Sequence, residues 1–258
     1  MMELGLDGKV AIITGGSEGL GHAAAERLAR ENVRVAICAR RKDVLENAAA
    51  QIKAATGKEV FARPADVSRA DDIQALVDAV VARWGGVDIL VNNAGTSAAN
   101  PFLDIDDRAW QFDIDLKLMA AVRLCRLVVP IMKQRGGGRI VNVTNLGGKA
   151  PQAKGLPTSV TRAAGINLTK SLSKEYAADK ILVNTICIGL IKSAQWERRV
   201  KPGGDMESYY REVGSRVPLG RVGEAHEFGD LVAFLVSERA GFITGTAINL
   251  DGGASAVV

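Results

Sequence analysis

The stretch Thr14-Gly15-Gly16-Ser17-Glu18-Gly19-Leu20-Gly21 decides how this chain is read. It follows the apolar run Val10-Ala11-Ile12-Ile13 and opens an amphipathic pattern over residues 20–30. A strand that turns through glycines into a helix brings free backbone N–H groups and the positive end of the helix dipole to one point. That arrangement holds a pyrophosphate, and glycine lets the backbone come close to it. A glycine-rich turn without a ligand is the plain alternative. What weighs against it is the position of the stretch, at the first strand–helix junction of a βαβ series.

Working outward, the series continues. The pattern predicts strands at 9–13, 33–39, 60–63, 87–92, 139–144, 181–186 and 246–250, and helices over 20–30, 42–55, 70–84, 106–134, 158–176 and 225–237. Strands alternating with helices predict an α/β fold, a Rossmann-type doubly wound parallel sheet, as a single domain over residues 1–258. The composition agrees: 258 residues, 47% hydrophobic and 24% charged, suit one large core. No apolar run reaches the roughly 18 residues of a membrane span, and the N-terminus lacks the basic and apolar regions of a signal peptide. Cys38, Cys125 and Cys187 are far apart in apolar contexts, so they are expected as buried free thiols in a reducing, cytoplasmic compartment. With His22 and His226 the two histidines, no metal site is expected. The net charge of +4 is scattered, which argues against a nucleic-acid partner and suits a ligand carrying phosphates.

The spacing T-G-x-x-x-G-x-G differs from the G-x-G-x-x-G dinucleotide fingerprint. Together with Asp66-Val67 after the third strand, Asn92-Asn93-Ala94-Gly95 ending the fourth, and Ile248-Asn249-Leu250-Asp251-Gly252-Gly253 near the C-terminus, it resembles the short-chain dehydrogenase/reductase family over essentially the whole chain. The resemblance implies a nicotinamide-dependent oxidoreductase acting on a small carbonyl or alcohol substrate. It implies cofactor contacts from Gly15, Ser17, Glu18, Gly19, Leu20, Gly21, Asp66, Val67, Asn93, Ala94, Gly95, Gly189 and Ile191, and a lid over the substrate from residues 193–217. It also implies a homotetramer or homodimer built through residues 106–134 and 158–176. The second strand ends Cys38-Ala39-Arg40-Arg41-Lys42, with no acid until Asp43. NADP(H) is therefore favoured over NAD(H), with Arg40 on the 2′-phosphate. Glu18 counts against this, because its charge opposes a phosphate nearby.

The family's catalytic residues are Asn, Ser, Tyr and Lys, and this chain departs at all four positions. The Ser position falls on Asn145, the Tyr position on Thr158, the Lys position on Arg162 and the Asn position on Lys117. None of the three tyrosines, Tyr176, Tyr209 and Tyr210, stands where the phenol is needed. An alkyl hydroxyl is far less acidic than a phenol of pKa about 10, so Thr158 can hydrogen-bond a substrate but is a poor acid alone. Arg162 stays charged, able to hold the ribose or clamp a carboxylate. Asn145 can donate to a developing oxyanion. A desolvated Lys117 beside Arg162 has a lowered pKa and can exchange a proton near neutrality. The bland alternative is an ordinary helix lysine, solvated or ion-paired with Asp113 or Asp115. Thr144, Ser159 or Thr161 as the working hydroxyl, Thr161 the nearest of them, and a phenol from Tyr209 or Tyr210 remain open. Three functions follow: an oxidoreductase with a rebuilt proton relay, a lysine-based non-reductive enzyme, and a cofactor-binding protein without turnover.

Overall fold

In the computed structural model, which describes residues 3–193, 196 and 205–258, seven strands form one parallel sheet in the order β3-β2-β1-β4-β5-β6-β7. The strands are β1 (Val10–Thr14), β2 (Arg34–Ala39), β3 (Phe61–Pro64), β4 (Ile89–Asn92), β5 (Gly138–Asn145), β6 (Ile181–Ile188) and β7 (Ala247–Leu250). Helices α1 (Gly19–Arg30), α2 (Lys42–Thr56), α3 (Ala70–Trp84), α4 (Asp107–Asp113), α5 (Ala120–Gln134), α6 (Thr158–Glu175), α7 (Met206–Gly214) and α8 (Ala225–Val236) connect or flank them. The doubly wound α/β expectation holds, with strand ends within two residues of the predicted ones.

The apolar run of β1 has a direct cause. Successive side chains leave a strand on opposite faces, and both faces here are covered. Ala11 and Ile13 join one core layer with Leu28, Leu45 and Phe228, while Val10 and Ile12 join the other with Ile73, Leu124 and Met132. A strand buried on both faces has no position for a polar side chain facing water. The core still holds a polar chain. Asn92 Nδ2 donates to Asn142 Oδ1 at 2.8 Å, Asn142 Nδ2 to Thr169 Oγ1 at 2.8 Å, and Thr185 Oγ1 to Thr169 Oγ1 at 2.7 Å. These bonds tie β4, β5 and β6 to α6, which carries Thr158 and Arg162.

The N-terminal ends of the central strands β1 and β4 are fastened by Asp88. It accepts from Val10 N at 2.8 Å and takes both Nε and Nη2 of Arg135, at 2.8 and 3.0 Å. Asp88→Ala strands a buried N–H and breaks a two-point pair, so a loss of about 3 kcal/mol is expected in urea denaturation.

The helix predicted over 106–134 is corrected: it is broken by a π-turn, Ile114–Met119, between α4 and α5. Ala120 N donates to Asp115 O, five residues back. The wider turn resets the phase of the helix at Lys117. Lys117, the basic member of that turn, is buried. His22, expected on a helix surface, is half-buried, and burial lowers its pKa. The three cysteines are buried and free. Among the described residues no helix is long and apolar enough to cross a membrane. Of the segment 193–217, residues 194–195 and 197–204 lie outside the described residues. The described remainder contains α7, whose N-cap Asp205 accepts from Glu207 N and Ser208 N.

Candidate active site

Sheet order reverses between β1 and β4, and a cavity of about 620 Å³ opens at the C-terminal ends of the strands there. That is where open α/β sheets bind their ligands. All the residues expected to touch a cofactor line it except Gly21. Gly21 lies beneath the loop: a Cβ there would stand 2.2 Å from Gly15 O and 2.6 Å from Asn93 Nδ2. The Asn93 amide donates to Thr14 O at 2.9 Å and Gly15 O at 3.2 Å, and the Thr14 hydroxyl accepts from Asn93 N and Ala94 N. The Asn-Asn-Ala-Gly segment therefore braces the glycine loop with its polar side chain. Gly189 is pressed against Asp251, where a Cβ would come within 2.7 Å of the Asp251 Cβ.

The lining fits a dinucleotide phosphate. The α1 N-terminus carries no acid in its first turn. Glu18, the residue that counted against a phosphate, is ion-paired with Arg41 at 2.9 Å. Arg40 is exposed at the cavity edge. Sequence reasoning left Arg41 without a role because the pair closes across a loop, with no local pattern to announce it.

Lys117, Asn145 and Thr158 do not line that cavity. Lys117 and Thr158 sit one residue and one helical turn from Leu116 and Arg162, which do. The Lys117 and Asp113 side chains are each 1% exposed and form an ion pair. The alternative of an ion-paired helix lysine is thus met, with Asp113, while Asp115 pairs with Arg123 at 3.0 Å. The pairing is not the whole of it. Lys117 Nζ also donates to Thr158 Oγ1 at 2.9 Å. Burial, then the Arg162 charge, push the Lys117 pKa down to about 8, against the opposing pull of Asp113.

Thr158 Oγ1 accepts a second bond, from Ala98 N at 3.1 Å. A hydroxyl has two acceptor positions and one hydrogen. Both acceptor positions are filled, so the hydrogen is the part of Thr158 left to donate. Thr161, weighed as the working hydroxyl, is committed elsewhere: it donates to Asp113 Oδ2 at 2.7 Å. Thr144 bonds Cys187 Sγ at 3.2 Å.

Arg162 Nη1 donates to Val143 O at 2.7 Å. Its Nη2 is turned to Gly95, where a Cβ would lie 2.6 Å away, and its Nε is buried with no hydrogen-bond partner. Burial lowers its pKa to about 10, which leaves it charged at neutral pH. Asn145 Oδ1 is likewise buried without a partner. Tyr209 and Tyr210 stand on α7, with Lys192 Nζ 5.5 Å from the centre of the Tyr210 ring.

Comparison with known proteins agrees with this architecture. The enoyl-(acyl carrier protein) reductase family model matches residues 15–255. L-sorbose reductase from Gluconobacter frateurii, solved with NADPH and L-sorbose, is 38% identical with a TM-score of 0.95, covering 100% of both chains. Dehydrogenase/reductase SDR family member 4 of Oryctolagus cuniculus is 34% identical over 96% of this chain and 94% of its own. The 3-oxoacyl-(acyl-carrier-protein) reductase of Staphylococcus epidermidis is 34% identical over 95% and 98%. Glycine loop, braced Asn-Asn-Ala-Gly segment, sheet order and these matches lead to one statement: the chain belongs to the short-chain dehydrogenase/reductase family.

Proposed function

We propose that this protein is an NADPH-dependent reductase of a ketone, able to run in reverse on the alcohol, whose proton passes from Lys117 through the Thr158 hydroxyl. The observation that carries the reading is the 2.9 Å bond from Lys117 Nζ to Thr158 Oγ1. The glycine loop, Asp66, Val67 and Arg40 would hold the nucleotide end of the cofactor, and Arg162, Gly189 and Ile191 the nicotinamide end. When bound, the cofactor supplies the hydride.

The chain's own residues supply the proton. As the carbonyl carbon takes the hydride, the carbonyl π pair moves to oxygen. The Thr158 hydrogen passes to that oxygen, and a Lys117 ammonium hydrogen passes to Thr158 Oγ1. A neutral amine remains at Lys117, which regains a proton from solvent after product leaves. An alkyl hydroxyl is too weak an acid to lose its proton outright, so its transfer must be coupled to the one that replaces it. Arg162 adds a fixed positive charge that favours the developing oxyanion, and the Asn145 amide offers a donor. Residues 193–217 select the substrate.

The test is loss of NADPH absorbance in a screen of ketoses, 3-oxoacyl thioesters and cyclic ketones. Ketoses come first because the 38% identical reductase was solved with L-sorbose. Tight NADPH binding with no turnover on any of them, unchanged when Tyr is placed at 158 and Lys at 162, would overturn the reading in favour of a binding protein. Borohydride trapping of an adduct at Lys117 would overturn it in favour of a lysine nucleophile.

Cofactor preference has its own test. Arg40→Ala should weaken NADPH binding about tenfold to a hundredfold, the size of a charge-assisted contact, and leave NADH unchanged in fluorescence titration. Equal losses for both cofactors would remove Arg40 from the 2′-phosphate.

A further inference from the structure

We propose that Asp113 and Thr161 form a positioning pair that fixes the Lys117 ammonium against Thr158. The inference rests on the proton path above and adds what holds its donor in place. A lysine has a flexible four-carbon stem, and Lys117 stands in a π-turn, next to the cavity-lining Leu116. Its contact with Thr158 therefore needs a constraint from outside its own turn.

Asp113 provides it. The last residue of α4, it is placed four residues before Lys117, so the two share a helix face. One carboxylate oxygen accepts from Lys117 and the other from Thr161 Oγ1, the latter at 2.7 Å. With both oxygens taken, the carboxylate cannot swing away without stranding a buried hydroxyl. Thr161 in turn stands one turn beyond Thr158 on α6. The bonds thus close a ring: Asp113 to Lys117, Lys117 to Thr158, along α6 to Thr161, and back to Asp113. All four residues are buried.

The charged groups acting on Lys117 are Asp113 from α4 and Arg162 from α6; the hydroxyl it bonds is Thr158, and the Thr161 hydroxyl bonds Asp113. Among the described residues Asp113 is the carboxylate acting on Lys117, and it raises the Lys117 pKa against Arg162 and burial. Without it, two buried cations would face each other uncompensated.

The experiment measures two quantities in the NADPH-loaded enzyme: the pH dependence of kcat, and the NMR titration of the ¹⁵N-labelled Lys117 side chain. Asp113→Asn should move the Lys117 midpoint down by about one pH unit or more, and the fall in kcat should begin at a correspondingly lower pH. Thr161→Val keeps every charge. It should leave the midpoint no lower than in wild type and cut kcat by about tenfold through lost alignment, with KM little changed and activity restored in Thr161→Ser. Should Asp113→Asn not fold, Asp113→Glu replaces it: the charge stays, so the midpoint stays near that of wild type while kcat falls. An unmoved midpoint in Asp113→Asn, or wild-type kcat in Thr161→Val or Asp113→Glu, would overturn the proposal. Failure of the underlying proton path is read separately, as turnover that survives loss of Lys117 itself.

Discussion

Lys117→Met should lower kcat for carbonyl reduction by about 10²–10⁴-fold, the usual worth of a positioned general acid, while NADPH binding changes little. The proposed nucleotide cradle is the glycine loop, Arg40 and Asp66, which line the cavity while Lys117 does not, so affinity and turnover should separate. Methionine keeps the volume of a side chain that is 1% exposed. It leaves Asp113 without its cation, so a lower Tm accompanies the loss, and circular dichroism distinguishes a folded, inactive variant from an unfolded one. The wild-type pH profile follows from the same group. On the proposed path reduction consumes the ammonium form, whose pKa burial and Arg162 push down to about 8. Reduction should therefore hold level at lower pH and fall as pH rises through about 8, while alcohol oxidation, which needs the neutral amine, should rise through the same range. A flat reductive profile between pH 6 and 10, or full turnover in Lys117→Met, would remove Lys117 from the proton path.

Gly21→Ala should cost about 3 kcal/mol of stability or more, at the upper end of what overpacking does, and abolish detectable NADPH binding. The added methyl would meet Gly15 O at 2.2 Å and Asn93 Nδ2 at 2.6 Å, and neither can retreat. The first is backbone of the phosphate loop, and the second is held by two backbone carbonyls. Gly57→Ala is the control. Gly57 has φ +71 and nothing within 4 Å of its Cβ position, so it should show only left-handed backbone strain, about 1 kcal/mol. Thermal melts and NADPH titration of the two variants check the contrast. If they lose the same stability, close approach is not what Gly21 provides.

The parts of the molecule that were legible in the sequence share a physical origin. Strands covered on both faces are largely apolar, so β1, and β5 apart from Asn142, could be seen from their apolar runs, and Thr14 to Gly21 announces its turn by its glycines. What stayed hidden depends on elements distant in sequence meeting in space. The π-turn leaves no local periodicity to read. The sequence offered Asp113 or Asp115 as an ion-pair partner of Lys117 without choosing between them, and Thr161 as the second partner of Asp113 comes from α6, 48 residues on. Arg41 neutralises Glu18 from 23 residues away. Helix α7 was obscured by its polar surroundings, although Asp205 ahead of Glu207 and Ser208 is an ordinary N-cap signal.

The short side chain at position 158 has a consequence for shape as well as for acidity. A phenol carries its oxygen at the far side of a ring and offers it well out from the helix. The Thr158 oxygen is bonded directly to Cβ, lies under the Ala98 amide, and keeps close to the α6 backbone. On the proposed path a substrate must come to Thr158, because this hydroxyl does not extend toward the substrate. Ligands that fit should carry their carbonyl on a narrow, projecting end that can enter a recess, and branched groups flanking the carbonyl should be excluded by depth before any polar contact is tested.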